Sequence, residues 1–290
     1  MSGVLNLIVP SGIGDISWIY SKLIDLNMPI NFYIADVGPS RAIPYLQLLK
    51  NIGHTQTLRM PINKILREGN RNKYTKDRLV KESSKDKIIF QINTWLEDGN
   101  RIEDYMPELE TNHHYTINIP DMDIAQSNVL IHPFKRYVVF YCSSLRTSRA
   151  WNGWQPNQWL ELAKYLTKEY DIDGIVIVGA EYDIDMANEL MSLNTSTIPM
   201  KNLVGKLRIG GTLAIIKNSL YLIGFPSGIP ILSSVIEKPV MMFYPEHLSK
   251  MHNTWVDPEY LKNGMYKGLL FCTPEQAIDW IKENCSQFFE

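Results

Sequence analysis

Three short stretches combine small residues with groups that can hold an anionic ligand. The first is Ser11-Gly12-Ile13-Gly14-Asp15. It lies between the apolar run Leu5–Pro10 and a segment with Ile16, Ile19, Leu23 and Leu26 at helical spacing. Gly12 and Gly14 permit close approach of a backbone or ligand, and the start of a helix attracts negative charge. Asp15 then stands at the mouth of a strand-to-helix turn, where α/β sheets bind ligands. The same position suits a first-turn aspartate facing the helix dipole. The second stretch is Gly224-Phe225-Pro226-Ser227-Gly228, again between a strand and a helix. Ser227 and the N–H groups from Gly228 onward can hold a phosphate, or can form a plain capping turn. The third is Ser143-Ser144-Leu145-Arg146-Thr147-Ser148-Arg149-Ala150-Trp151. Hydroxyls with Arg146 and Arg149 suit a diphosphate, because arginine grips phosphate bidentately and keeps its charge.

The elements around these stretches read as repeated strand–helix units. Strands are expected at Leu5–Pro10, Ile30–Ala35, Ile88–Gln91 and His114–Ile119, with helices at Ile16–Leu26 and Arg41–Ile52. Asp121–Arg136 has few periodic apolar residues and carries Pro133, so it reads as an interdomain linker. The pattern restarts at the strand Tyr137–Tyr141 and continues with a helix at Pro156–Tyr170, a strand at Gly174–Gly179 and a helix at Tyr182–Leu190. A helix at Thr212–Asn218, strands at Leu220–Gly224 and Val240–Phe243, and an intervening helix to about Glu237 follow. Thr273, Pro274 and Gln276 make the N-cap, first position and capping box of a final helix. The expected architecture is α/β: two Rossmann-like domains with parallel sheets facing a central cleft. Their ranges are 1–130 and 131–273, with a C-terminal helix at 274–290 packing back on the N-terminal domain.

Composition narrows the function classes. With 45% hydrophobic and 21% charged residues the 290-residue chain is globular, neither disordered nor fibrous. Lys and Arg total 29 against 31 Asp and Glu, so no global positive charge points to nucleic acid. Three dispersed cysteines, Cys142, Cys272 and Cys285, fit a reducing compartment and form no metal pair. No apolar run approaches the roughly 20 residues of a membrane span, and no signal-peptide pattern opens the chain, so a cytoplasmic protein is expected. The position of Ser17 breaks a G-x-G-x-x-G fingerprint, and no P-loop is present. The D-x-D strings at Asp121–Asp123, Asp171–Asp173 and Asp183–Asp185 read as solvated surface, and His113-His114 as a strand edge without a third metal ligand. Trp151 and Trp154 are candidates to line the cleft. Between Lys64 and Lys81 seven basic residues, Lys73 and Arg78 among them, face only Glu68 and Asp77, a local charge of +5. That stretch is a solvated face or a surface for an anionic partner.

Taken in order, these motifs resemble the ADP-heptose:lipopolysaccharide heptosyltransferases, inverting glycosyltransferases of the GT-B fold. The matching segments are Gly12-Ile13-Gly14-Asp15, the region Tyr137–Pro156 with Trp151, Trp154 and Pro156, and the strand ending Val178-Gly179 followed by Glu181. Leu203-Val204-Gly205-Lys206, Pro226-Ser227-Gly228 and Lys238-Pro239-Val240 complete the series. Where the family carries Asp and His around its serine–glycine turn, this chain has Pro226 and Ile231.

The resemblance implies transfer of a sugar from a nucleoside-diphosphate sugar to an acceptor hydroxyl, without metal or other cofactor. It implies Asp15 as general base. Ser143, Ser144, Arg146, Arg149, Glu181, Ser227 and Gly228 would hold the donor nucleotide. Gly12, Gly14, Lys73 and Arg78 lie on the acceptor side, which suits an anionic glycan or glycolipid. Two alternatives stay open: a glucosyltransferase acting on hydroxymethylated DNA bases, and a catalytically degenerate nucleotide-sugar-binding protein. Oligomeric state is not read from the sequence.

Overall fold

The computed structural model describes residues 4–36, 42–59, 89–91, 102, 106–142, 154–195, 198–244, 256–270 and 272–289. The chain divides into two compact units, Met1–Asn118 and Ile119–Glu290. Among the described residues no helix is long and apolar enough to cross a membrane.

Among the described residues the first unit holds four strands, β1 (Leu5–Pro10), β2 (Ile30–Asp36), β3 (Ile52–Arg59) and β4 (Ile89–Gln91), all parallel and ordered β3-β2-β1-β4. β1 is buried along its whole length, as expected of a strand covered on both faces. Helix α1 (Ile13–Ser21) follows β1 directly, so the turn is shorter than its residue types suggest and Asp15 lies inside the helix. Helix α2 (Ala42–Leu46) ends early. Asn51, at φ 58°, turns the chain into β3, a left-handed conformation that asparagine tolerates. Periodicity carries the helix to Ile52 and finds no β3, because this polar strand lies at the sheet edge and shows little of a core pattern. The expected strand at His114–Ile119 is absent. That segment is extended with Tyr115 turned inward. Its neighbours bond to helix-side carbonyls, Asn112 N–H to Ser21 O at 2.8 Å and Asn118 N–H to Leu48 O at 2.8 Å.

The second unit has a six-stranded parallel sheet ordered β10-β9-β8-β5-β6-β7. Its elements in chain order are α3 (Asp121–Ile131), β5 (Tyr137–Tyr141), α4 (Pro156–Glu169), β6 (Gly174–Ile177), α5 (Ile184–Leu193), β7 (Met200–Asn202) and α6 (Ile209–Asn218). They continue with β8 (Tyr221–Gly224), α7 (Gly228–Val235), β9 (Val240–Tyr244), α8 (Pro258–Lys262), β10 (Tyr266–Leu270) and α9 (Pro274–Asn284). Alternation along the strands divides two cores. Val138 and Phe140 join Ile175, Ile177, Ile223 and Phe243 on one face. Tyr137, Val139 and Tyr141 join Val176, Leu222 and Met242 on the other. The edge strands β7 and β10 and the short helix α8 escape sequence patterning, since edge strands bury less and five residues span little more than one turn.

One expectation is corrected. Asp121–Arg136 is no linker: α3 fills most of it and belongs to the second unit, whose boundary falls at Asn118/Ile119 instead of 130/131. Its buried positions are Asp123, Ser127 and Ile131, a helical stripe that is mostly polar and hence invisible to an apolar template. The stripe works because α6 opposes it with glycines. Ser127 Oγ donates to Asp123 O (2.6 Å) and lies 3.0 Å from Gly211 O. A methyl group on Gly210 would stand 2.2 Å from Asp123 Oδ2. Helix α9 belongs to the second unit. Ala277, Ile281, Cys285 and Phe289 enter the core beside α4, and Phe289 stacks on Tyr170 at 4.5 Å. The predicted capping box of Thr273 and Gln276 is present.

Glycine-to-alanine changes inside a helix ordinarily stabilise by about 1 kcal/mol. Gly210→Ala is expected to do the reverse, costing about 1–3 kcal/mol in urea unfolding through overpacking. Combining it with Asp123→Ala should cost less than the sum of the two single changes. Additive losses would show that the α3–α6 contact does not depend on this glycine.

Candidate functional site

In open parallel sheets, ligands bind at the carboxyl ends of strands where the strand order reverses. Among the described residues each unit has one such point. In the first it lies between β1 and β4, and in the second between β5 and β8.

At the first, β1 ends at Pro10 and Gly12 becomes the N-cap of α1, with φ −73° and ψ 128°. Asp15 is therefore the third residue of the helix, half-buried. Its carboxylate folds back over the cap: a methyl group on Gly12 would stand 2.2 Å from Asp15 Oδ2. Gly12 thus provides the space that the carboxylate fills, and the helix dipole favours the charge there. Gly14 is buried. Helix α1 is held from below by a hydroxyl cluster that sequence reading misses. Ser17 bonds the Tyr115 hydroxyl, which in turn lies 2.7 Å from that of Tyr45. The Tyr20 ring meets Tyr115 edge-on at 5.0 Å. Burial pushes the Tyr115 phenol up to about 12, while hydrogen bonds from Ser17 and Tyr45 oppose the shift. Ser17 and Tyr115 are 98 residues apart, so no local signal joins them.

At the second point, three of the segments singled out in the sequence come to neighbouring strand ends. β5 ends at Tyr141 and Cys142, β8 at Gly224 and Phe225, and β6 runs on through Val178 to Gly179 and Glu181. Tyr141 pairs with Gly224 across the sheet, and Phe225 N–H donates to Tyr141 O at 3.3 Å. Ser227 is the N-cap of α7, its hydroxyl accepting from Ile229 N–H at 3.1 Å. The capping role foreseen for Ser227 is therefore real, and Gly228 is the first residue of α7. Glu181 is exposed at the head of a short 3₁₀ turn, Glu181–Asp183. The turn holding Gly205, at φ 70°, lies against it: Gly205 N–H bonds Gly179 O at 3.1 Å. The loop Ser143–Arg149 with Ser143, Ser144, Arg146 and Arg149, Trp151, and the basic residues Lys73 and Arg78 lie outside the described residues.

Sequence reading also misses the floor of this edge. Asp183 is buried, contrary to a solvated D-x-D, and its Oδ2 accepts from Ala180 N–H at 2.8 Å. Asp123 is buried too, as described above. The Tyr141 hydroxyl meets those of Ser227 and Tyr182, and burial, then the neighbouring Asp183 carboxylate, push its phenol well above the usual value. The same two causes raise the Cys142 thiol. Trp154 does not line a cleft. It is buried against Trp159 and Phe243, with its indole N–H on Cys272 O at 2.7 Å. Among the described residues no group of histidines, cysteines and carboxylates is placed to hold a metal ion.

The close pairing at Gly224 gives a test of this edge. An added methyl group would stand 2.8 Å from Tyr141 Cβ and 3.0 Å from its carbonyl oxygen. Gly224→Ala is expected to cost about 1–3 kcal/mol of unfolding free energy. Truncating Tyr141 as well should not restore it, because part of the clash is with backbone. Wild-type stability in Gly224→Ala would refute the tight β5–β8 junction.

No family model and no curated protein matches the sequence. Solved structures do resemble the fold. E. coli ADP-heptose LPS heptosyltransferase II superposes with a TM-score of 0.63 at 14% identity, covering 99% of both chains. A family 9 glycosyl transferase from Veillonella parvula gives 0.64 at 14% identity, over 98% of this chain and 97% of that one. E. coli heptosyltransferase WaaC with ADP-2-deoxy-2-fluoro heptose gives 0.61 at 12% identity, over 98% and 100%. At these identities the likeness is one of fold, and the chain has the two-unit, parallel-sheet α/β fold seen in these glycosyltransferases.

Proposed function

We propose that the protein is a glycosyltransferase that moves a sugar from a nucleoside-diphosphate sugar to an acceptor hydroxyl, with inversion and without a metal ion. The observation that carries this reading is the convergence of Glu181, Tyr141 and the Gly224–Gly228 turn on adjacent strand ends at the second unit's switch point. An anionic leaving group suits that edge. The Gly228 N–H and the positive end of α7 face developing phosphate charge, and Arg146 and Arg149 follow β5 in sequence. Glu181, exposed after the neighbouring strand β6, accepts hydrogen bonds from hydroxyls of the donor.

Asp15 is the proposed base, on the unit assigned to the acceptor. It takes the proton of the acceptor hydroxyl as that oxygen attacks the anomeric carbon. The bond from that carbon to the diphosphate oxygen breaks, and the nucleoside diphosphate departs with the electron pair. The basic stretch Lys64–Lys81 favours an anionic acceptor, a glycolipid or glycan in the first instance. A modified DNA acceptor is told apart by its affinity, which falls steeply with salt. The second reading is a nucleotide-sugar-binding protein without turnover. It is supported by Pro226 and Ile231 at the positions of the resembled family's Asp and His.

A thermal-shift screen over nucleoside diphosphates and nucleotide sugars tests the donor site. A ligand at 100 times its Kd adds about 2.7 kcal/mol of stability, and no shift with any of them would remove the donor reading. With the donor found, Asp15→Asn should lower kcat by about 10²–10⁴-fold with donor affinity nearly unchanged. Its stability cost should stay below about 1 kcal/mol. Full turnover in Asp15→Asn would take Asp15 out of the mechanism. Donor binding without transfer or donor hydrolysis in the unsubstituted protein would establish the second reading.

A further inference from the structure

The rim beside Glu181 carries a side chain that neither the motif series nor the proposed mechanism uses. Tyr182 is 42% exposed, yet its hydroxyl reaches inward to that of Tyr141 at the end of the neighbouring strand. With its hydroxyl at Tyr141 and part of its surface open, Tyr182 stands at the carboxyl edge of the sheet, beside the ends of β6 and β5. Ile184, 36% exposed, follows on the same turn. The wall behind is the Leu203–Gly205 turn. There a methyl group on Gly205 would stand 3.2 Å from Ile184 Cδ1 and 3.5 Å from Glu181 Cα. Glycine at φ 70° keeps this wall close and without a side chain of its own. Tyr182 and Ile184 are thus exposed together on this turn. Here both adjoin the strand ends that the proposed function gives to a diphosphate.

We propose that Tyr182 is the stacking platform for the nucleobase of the donor, held in orientation by its hydroxyl contact with Tyr141. This rests on the reading of the β5–β8 edge as a diphosphate site. A planar base on the ring places its ribose next to Glu181 and its diphosphate toward Gly228, the order in which the three groups are joined in a nucleotide. Stacking is tolerant of base identity, so Tyr182 provides affinity for any nucleoside diphosphate over inorganic diphosphate and does not choose among bases.

Calorimetric titration of ADP, UDP, GDP and inorganic pyrophosphate into three proteins tests this. The three are the unsubstituted chain, Tyr182→Ala and Tyr182→Phe, with melting temperatures confirming that each is folded. Tyr182→Ala should weaken the best-bound nucleoside diphosphate about 5- to 100-fold and leave pyrophosphate within about twofold. Tyr182→Phe keeps the ring and should stay within a few-fold of the unsubstituted protein. Unchanged nucleotide affinity in Tyr182→Ala, or an equal loss for nucleotide and pyrophosphate, would overturn the platform while leaving the diphosphate site standing. An unsubstituted protein that binds pyrophosphate as tightly as every nucleotide would also overturn it. If it binds none of the four, the diphosphate site itself fails, and the platform with it.

Discussion

The second unit is organised by the need to keep β5 dry on both faces. Tyr137–Tyr141 is buried at every position, with alternate residues in two separate cores. A strand so covered cannot carry a polar side chain without a partner, and its backbone is satisfied only by parallel neighbours on either side. Helices must therefore lie on both faces, which leaves the two ends of the strands as the places where polar chemistry can surface. Glu181, Ser227 and Gly228 stand at the carboxyl end for this reason, and Tyr141, the last residue of β5, is where buried sheet gives way to polar edge.

A local device recurs at the helix starts. Asp15 lies over Gly12, Asp183 over Gly179 and Asp123 over Gly210, each carboxylate oxygen or its carbon occupying space that a side chain on the glycine would claim. Each acid also sits at or against the first turn of a helix or 3₁₀ turn, where the dipole favours its charge. Glycine and carboxylate thus act as one unit: the missing side chain lets the acid approach backbone N–H groups closely. At Asp123 the result is a helix–helix contact in which polar groups share the seam with Ile131. At Asp183 it is the floor of a candidate site. At Asp15 it folds a carboxylate back over the N-cap of α1 at the carboxyl end of β1.

The fold shared with heptosyltransferases at 12–14% identity follows from these constraints without close sequence likeness. Parallel strands need apolar residues but not particular ones, so sequences drift while the layers persist. Functional chemistry is less forgiving, since it rests on single groups at strand ends. Pro226 and Ile231 stand where the family resembled in sequence carries Asp and His. They lie at the start of α7, where the backbone N–H of Gly228 does not depend on neighbouring side chains.

How much of this was legible in the sequence depended on range. The strands Leu5–Pro10 and Tyr137–Tyr141 could be read because a buried parallel strand is a continuous apolar run. The cap of α9 could be read because Thr273, Pro274 and Gln276 interact within four residues. The glycine turns pointed to strand ends for the same local reason. What the sequence could not disclose was long-range. The polar stripe of α3 has meaning only against the glycines of α6. The Ser17–Tyr115–Tyr45 hydroxyl cluster joins three distant segments, and the burial of Asp183 and Trp154 is decided by neighbours far along the chain. Edge strands such as β3 are set by pairing on one side alone, which leaves their residues free to be polar. Local propensity determined which elements form; tertiary packing determined which polar groups those elements bury and which they present at an edge, because desolvation is a property of the assembled layers and not of any one segment.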